Sequence, residues 1–80
     1  MKKICVLHRG WVLIGNLDRE GDEYFLTNAF VIRRWGTSEG LGELAMKGPL
    51  PETKLDKMPL VRFHKEQLIM TIACDESKWK

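Results

Sequence analysis

Short apolar runs separated by turn residues dominate the pattern of this chain. Five runs share this character, and they lie at residues 3–8, 11–17, 24–35, 60–64 and 67–74. Short runs rich in β-branched and aromatic residues, bounded by glycine or polar turns, are typical of strands. The pattern therefore predicts five antiparallel strands, and it predicts that the last two form a hairpin joined at Lys65 and Glu66.

Two features of these runs favour a curled sheet. Gly15 interrupts the second run, and a glycine inside a strand indicates a sharp bend or a close backbone approach. The third run carries bulky apolar residues on both faces, for example Phe30 and Val31, so that part of the second face is expected to be covered as well, either by the chain or by a neighbour. We expect a mainly β fold, a small five-stranded antiparallel barrel of the SH3-like or Sm-like kind.

The strand pattern stops over residues 36–59. Ser38 is a candidate N-cap, the apolar positions 41, 44 and 45 share one helical face, and Gly48 with Pro49 ends the pattern. This predicts a glycine-rich loop with one short helix. Residues 48–59 contain three prolines and are predicted to be loop.

The size of the chain limits its stability. Its 80 residues form one domain, 1–80, and a core of this size rarely supplies more than about 3–5 kcal/mol without a disulfide, a metal or oligomerisation. We therefore expect a homo-oligomer. On a free tail the large aromatic side chain of Trp79 would stay exposed to water, so we expect it to pack onto the barrel or onto a partner.

Charge and cysteine usage narrow the function classes. The net charge is +2, from 13 basic and 11 acidic residues, which makes a long nucleic acid an unexpected partner. Cys5 and Cys74 are too few and too far apart for a zinc site or a secreted disulfide scaffold. The amino terminus resembles neither a signal peptide nor a membrane span. These features predict a cytoplasmic protein with no membrane partner and with two buried cysteines.

Catalytic groups are sparse. His8 and His64 are the two histidines, and neither has the short spacing that places two metal ligands on one face. The acidic residues between Asp18 and Glu23 are typical of a solvated turn rather than a pair of catalytic carboxylates. The sequence therefore predicts a protein that is not an enzyme and uses no metal or other cofactor.

A basic and aromatic cluster is the best candidate for ligand binding. Arginine and backbone N–H groups near glycine suit anions, and tryptophan can stack on a nucleobase. The predicted ligand-binding residues are Arg33, Arg34, Trp35, Thr37 and Ser38, with Lys47 and Arg62 as additional charge. The alternative is a structural corner in which Arg34 pairs with Glu39 or Glu43, Trp35 plugs the barrel end, and the glycines serve a tight turn.

The segment 9–29 resembles the first half of an Sm-like or Hfq-like domain. The glycines and leucines that carry the resemblance, together with one asparagine, are Gly10, Gly15, Leu17, Leu26 and Asn28. The resemblance implies a small barrel and assembly into a ring. The base-binding Asp-x-x-x-Asn loop of that family is absent here, and His64-Lys65 stands where the family has Arg-Gly.

A second resemblance spans nearly the whole chain. The segments "RRWGT" and "GLGEL" resemble those of a family of short phage-borne and prophage-borne proteins of uncharacterised function. This resemblance implies a viral accessory protein in the cytoplasm of a bacterial host and implies no activity. Together with the basic cluster, it suggests an anti-defence protein that sequesters a small anionic, nucleotide-like ligand. The alternatives are an Sm-like RNA-binding module and an inhibitor that binds a host protein.

Overall fold

The computed structural model describes residues 2–79, which form one antiparallel sheet with a short helix packed on it. The six strands are β1 (Lys2–Leu7), β2 (Val12–Glu20), β3 (Glu23–Arg34), β4 (Lys54–Lys57), β5 (Val61–His64) and β6 (Leu68–Ala73). The helix is α1 (Leu41–Lys47). No helix in this described part of the chain is long and apolar enough to cross a bilayer.

Strand β3 organises the sheet because its length lets one of its edges hold two strands. Strand β4 pairs with residues 30–34 of β3, and β5 pairs with residues 23–26. The other edge of β3 pairs with β2, which pairs with β1, and β1 pairs with β6. The sheet order is therefore β4-β3-β2-β1-β6. Strand β5 pairs with the same edge of β3 as β4 does, but at the other end of that strand.

The prediction of a mainly β, antiparallel domain with one short helix is confirmed, whereas the number of strands and the closed barrel are not. The sheet has six strands instead of five. No pairing found within residues 2–79 joins β6 to β4 or β5, so the barrel stays open along the outer edge of β6. The extra strand is β4, which lies in the segment predicted to be loop. Its sequence, Lys-Leu-Asp-Lys, is too short and polar to give a strand pattern.

The predicted hairpin between the last two strands is wrong. A single 3₁₀ turn, Lys65–Gln67, follows β5 and carries the chain from the edge of β3 to the edge of β1. The His64 Nδ1 atom accepts a hydrogen bond from the Glu66 backbone N–H at 3.1 Å, which caps this turn. The two strands therefore pair with different neighbours, and the turn residues lie at one end of the open barrel.

Gly15 allows the close backbone approach that its position predicts. The pairing of β2 and β3 shifts register between Ile14 and Asn16, and Asn28 adopts a positive φ of 50° at this bulge. A Cβ atom at Gly15 would lie 2.9 Å from the Thr27 carbonyl oxygen. A β-bulge bends its strand and increases the local twist, and this curls the long hairpin.

Each face of the sheet carries an apolar core, as the bulky apolar residues on both faces of β3 predict. The helix-side core contains Ile4, Val12, Ile14, Ile32, Leu44, Ala45, Cys74 and Trp79. The second core lies on the opposite face, beneath a surface groove, and is called the groove-side core. It contains Cys5, Leu7, Leu13, Leu26, Ala29 and Phe63. Adjacent residues of one strand enter different cores because side chains alternate across a sheet.

The C-terminal segment locks α1 onto the sheet. Trp79 is 6% exposed, which confirms that it packs back onto the domain. Its Nε1–H donates to the Ala45 carbonyl oxygen at 3.1 Å, and the Asp75 backbone N–H donates to the same oxygen at 3.0 Å. Gly48 ends the helix with a φ of 80°, and a Cβ atom there would lie 2.5 Å from the Lys78 carbonyl oxygen.

Candidate anion-binding groove

The glycine-rich corner before α1 uses its polar groups internally. The Glu43 carboxylate accepts hydrogen bonds from the backbone N–H groups of Ser38 at 3.0 Å and Glu39 at 2.9 Å. Backbone donation from Glu39 is the largest cause that holds the pKa of Glu43 below its ordinary value. The Thr37 hydroxyl accepts from the Gly40 N–H at 3.1 Å. Glu43 thus lies where an anion bound to these N–H groups would lie.

Ser38 does not cap the helix as the sequence predicts. Gly40 precedes the first helical residue, its φ is 86°, and no side chain caps the helix there. The Ser38 hydroxyl lies 3.5 Å from the Glu43 carboxylate instead. The N-cap prediction is therefore wrong, because Glu43 reaches back from the first turn and organises the preceding loop.

Arg33 and Arg34 end β3 and face carboxylates of the same chain. Arg33 Nε lies 2.9 Å from Asp56, and Arg34 lies 3.6 Å from Glu52. Arg34 therefore pairs with Glu52, a partner that the sequence alternatives do not include. Surface ion pairs are worth about 0–1 kcal/mol, so these contacts orient the guanidinium groups without burying them.

The remaining predicted residues spread over the surface. Trp35 is 42% exposed and is not a buried plug, and Lys47 pairs with Glu43 along α1 at 3.3 Å. Arg62 lies opposite Phe25, near the start of β3. Arg34 lies nine residue positions beyond Phe25 along β3, or roughly 30 Å of strand. The structure brings Arg33, Arg34, Trp35 and Thr37 to one corner and leaves Arg62 at the far end of the sheet.

A different set of cations surrounds an open groove on the sheet. Its volume is about 540 Å³, and it lies over the groove-side core between β6 and the β2–β3 hairpin. Three cations line it, Lys3 from β1, Arg19 from β2 and Lys65 from the 3₁₀ turn, together with one carboxylate, that of Glu66. The lining therefore carries an excess of two positive charges, supplied by three separate elements.

An aromatic row reaches this groove at one end, where Tyr24 and Arg19 line it. Tyr24 of β3 is paired with Arg19 of β2 on one side and with Phe63 of β5 on the other. The Tyr24 and Phe63 rings stack with centroids 5.8 Å apart, and the Arg19 guanidinium lies 5.5 Å from the Tyr24 centroid. Because paired residues project from the same face of a sheet, the three groups form a column that ends in a guanidinium.

The groove cations are poorly neutralised within the chain. Lys65 lies 3.3 Å from Asp22, and both side chains are largely exposed. Among residues 2–79, the ion pairs within 4.0 Å include neither Lys3 nor Arg19. The Arg19 Nε–H donates to the Gly21 carbonyl oxygen at 2.8 Å, which fixes the guanidinium plane beside Tyr24. Two of the three cations can therefore accept an anionic ligand without losing a carboxylate partner.

The cysteines are buried, as predicted, and lie outside the groove lining. Burial raises the pKa of the Cys5 thiol to about 11, and it also raises the pKa of Cys74. The thiolate is the nucleophilic form of cysteine. Both side chains are therefore protonated at neutral pH and act as small core residues.

No protein-family model matches the chain, and no curated protein matches its sequence. Sequence reasoning missed the groove because its cations lie far apart along the chain, whereas Arg33, Arg34 and Trp35 are contiguous. The one available signal is the tight turn at Gly21, which places Arg19 opposite Tyr24.

Proposed function

We propose that this protein is a non-catalytic binding protein that sequesters a small anionic, nucleotide-like ligand in the groove between β6 and the β2–β3 hairpin. One observation carries the proposal, namely that cations from three separate elements line a groove of about 540 Å³ beside an aromatic row. Phosphate groups would meet Lys3 and Lys65. The base would stack on the outer face of the Arg19 guanidinium, which extends the column of Phe63 and Tyr24.

The size of the groove supports a small ligand. Small-molecule sites occupy about 300–1,000 Å³ and place a few polar groups on an apolar lining. Here Leu17, Leu68 and the exposed side chain of Ile69 supply apolar surface next to the cations. A long nucleic acid would need a continuous basic stripe, whereas the three arginines elsewhere on the sheet, Arg33, Arg34 and Arg62, each face a carboxylate of the chain.

The biological setting of the proposal rests on the phage-type resemblance. A small viral protein that removes a host signalling nucleotide from the bacterial cytoplasm would act against a defence pathway, and it would need no catalytic group. Self-association would let each assembly hold more than one ligand.

Isothermal titration calorimetry with a panel of linear and cyclic nucleotides tests this proposal. At least one nucleotide is expected to bind, and Arg19→Ala and Lys65→Ala are each expected to weaken that binding about tenfold or more, which corresponds to about 1.4 kcal/mol. Arg33→Ala is the matched control, because it removes an arginine from the same sheet but outside the groove. Binding should also weaken as salt increases, since charges that are exposed are screened.

Two outcomes would overturn the proposal. One is the absence of binding heat across the panel. The other is a loss of affinity in Arg33→Ala that equals the loss in Arg19→Ala, which would place the ligand at the glycine-rich corner. Gel shifts with short RNA provide the comparison with the RNA-binding alternative, for which longer strands should bind more tightly than mononucleotides.

A further inference from the structure

One carboxylate lies among the cations of the groove. Besides Lys3, Arg19 and Lys65, the lining contains the acidic residue Glu66. Like charges repel, so a carboxylate near a bound phosphate weakens its binding unless the same ligand donates hydrogen bonds to that carboxylate. Glu66 therefore indicates a ligand that carries N–H or O–H donors as well as negative charge.

The Glu66 carboxylate has no partner within residues 2–79. The ion pairs within 4.0 Å in this part of the chain do not include it. Its backbone N–H donates to His64 Nδ1 at 3.1 Å and caps the 3₁₀ turn, so the backbone that carries the carboxylate is held in place. An ionised carboxylate accepts hydrogen bonds and donates none. Both oxygens of Glu66 are therefore open to donors of a ligand.

Backbone hydrogen bonds bring Glu66 to the same end of the groove as Arg19. The Lys65 N–H donates to the Asp22 carbonyl oxygen at 2.8 Å, which ties the 3₁₀ turn to the tip of the β2–β3 hairpin. The Arg19 Nε–H donates to the Gly21 carbonyl oxygen at the same tip, also at 2.8 Å. A base that stacks on the Arg19 guanidinium therefore lies at the end of the groove that holds the Glu66 carboxylate.

The other end of the groove is cationic. Lys3 pairs with Ala73 at the end of β6, whereas Leu7 pairs with Leu68 at the start of β6. Lys3 lies four residue positions from Leu7 along β1, or roughly 13 Å of strand. Thr71 also lines the groove, and its hydroxyl can donate to a phosphate oxygen. A phosphate at this end would meet an ammonium group and a hydroxyl, away from the carboxylate.

The donor patterns of the nucleobases differ at the edge that a carboxylate can read. Guanine has two adjacent donors, N1–H and the 2-amino group, which match the two oxygens of a carboxylate. Adenine and cytosine each have an acceptor nitrogen beside the amino group, and uracil has one N–H between two carbonyl oxygens. Bidentate hydrogen bonds to a charged group are stronger than single hydrogen bonds between neutral groups. A carboxylate beside the stacked base therefore favours guanine.

We infer, on the basis of the proposed function, that the groove selects guanine nucleotides. The Glu66 carboxylate accepts hydrogen bonds from N1–H and the 2-amino group, the base stacks on the Arg19 guanidinium, and the phosphates extend towards Lys3. A site that hydrogen-bonds a substrate group discriminates against an analogue that lacks the group, because the site's own polar group then stays unpaired.

Isothermal titration calorimetry with the 5′-diphosphates of guanosine, inosine and adenosine tests this inference on the full chain. The three ligands carry the same phosphates and differ in the base. The guanosine diphosphate should bind at least about tenfold more tightly than the adenosine diphosphate, which corresponds to about 1.4 kcal/mol. The inosine diphosphate should fall between them, because its base keeps N1–H and lacks the 2-amino group.

Glu66→Gln removes the charge of the carboxylate and keeps the size of the side chain. It should weaken binding of the guanosine diphosphate about tenfold, while binding of the adenosine diphosphate stays the same or tightens by about twofold, because a like charge near the phosphates is gone. A merely structural role of Glu66 would instead change both affinities in the same direction. Glu52→Gln is the matched control, because Glu52 is exposed, faces Arg34 at 3.6 Å and lies outside the groove lining. It should leave the ratio of the two affinities unchanged.

Two results would overturn the inference. One is a guanosine diphosphate that binds no more tightly than the adenosine diphosphate, which includes no binding of either. The other is a preference for guanine that Glu66→Gln leaves unchanged. Binding of another nucleotide of the panel that Arg19→Ala weakens would still support the proposed function, so the two failures can be told apart.

Discussion

Replacing Trp79 with alanine tests how the C-terminal segment stabilises the fold. Trp79 is 6% exposed and contacts the helix-side core together with Leu44 and Ala45 of α1. The helix has seven residues, and an isolated helix of this length is unstable in water. Its position therefore depends on Trp79 and on the sheet beneath it.

The expected loss is large relative to the stability of the whole domain. Truncation of a buried tryptophan to alanine costs about 3–5 kcal/mol, and a core of this size supplies about the same amount. Trp79→Ala should therefore be close to its unfolding midpoint without denaturant. Trp79→Phe should cost less, because it keeps most of the apolar contact. It loses one hydrogen bond, worth about 1 kcal/mol, while Asp75 still donates to the Ala45 carbonyl oxygen.

Urea denaturation followed by far-ultraviolet circular dichroism measures these differences. Trp35→Ala is the matched control, because Trp35 is 42% exposed and exposed side chains usually contribute within about 0.5 kcal/mol. A Trp79→Ala variant whose free energy of unfolding lies within about 0.5 kcal/mol of wild type would refute the role assigned to this residue.

Three further predictions concern the glycines, Glu43 and the cysteines. In urea denaturation, Gly48→Ala should destabilise the fold by about 1–3 kcal/mol because of its positive φ. Gly42→Ala, in the first turn of α1 and with open space around its Cβ position, should instead stabilise the fold by up to about 0.5–1 kcal/mol. Equal effects of the two substitutions would contradict this. Folding lowers the pKa of Glu43 from its ordinary value of 4.5, so its contribution to stability is complete above that pH and is lost as the pH falls through the folded-state pKa. In thermal melts between pH 2 and 6, Glu43→Gln should therefore reduce the loss of stability at low pH. An unchanged pH dependence in this variant would refute the assignment. Cys5 and Cys74 should not react with a thiol reagent at pH 8 in the folded protein and should both react in denaturant, whereas rapid labelling of the folded chain would show that they are not buried.

The sequence predicted the elements with strong local patterns. The long apolar run of β3, the bend at Gly15 and the packing of Trp79 each follow from residues that have few alternatives in a small β domain. Strand β4 was missed because its pairing with β3 depends on the partner strand rather than on its own polar sequence. The hairpin of β5 and β6 was wrong because a single capped turn at His64 sends the chain to another edge, which local pattern does not reveal.

The candidate site was harder to predict than the fold. A contiguous cluster such as Arg33 to Trp35 is visible in a sequence, but its charges pair with Asp56 and Glu52 once the chain folds. The groove instead depends on strand register, which places Arg19 opposite Tyr24, and on the turn that brings Lys65 against Asp22 at the tip of the β2–β3 hairpin. These relations are long-range, so the sequence pattern does not reveal them.

The central claim is that the groove between β6 and the β2–β3 hairpin, rather than the glycine-rich corner, binds the anionic ligand. A titration of the isotopically labelled protein with the tightest-binding nucleotide, followed by two-dimensional amide NMR, tests this claim most directly. The largest shift changes should fall on the amides of Lys3, Arg19, Tyr24 and residues 65–71, while residues 36–44 should change little. Shift changes concentrated at residues 33–44 would contradict it.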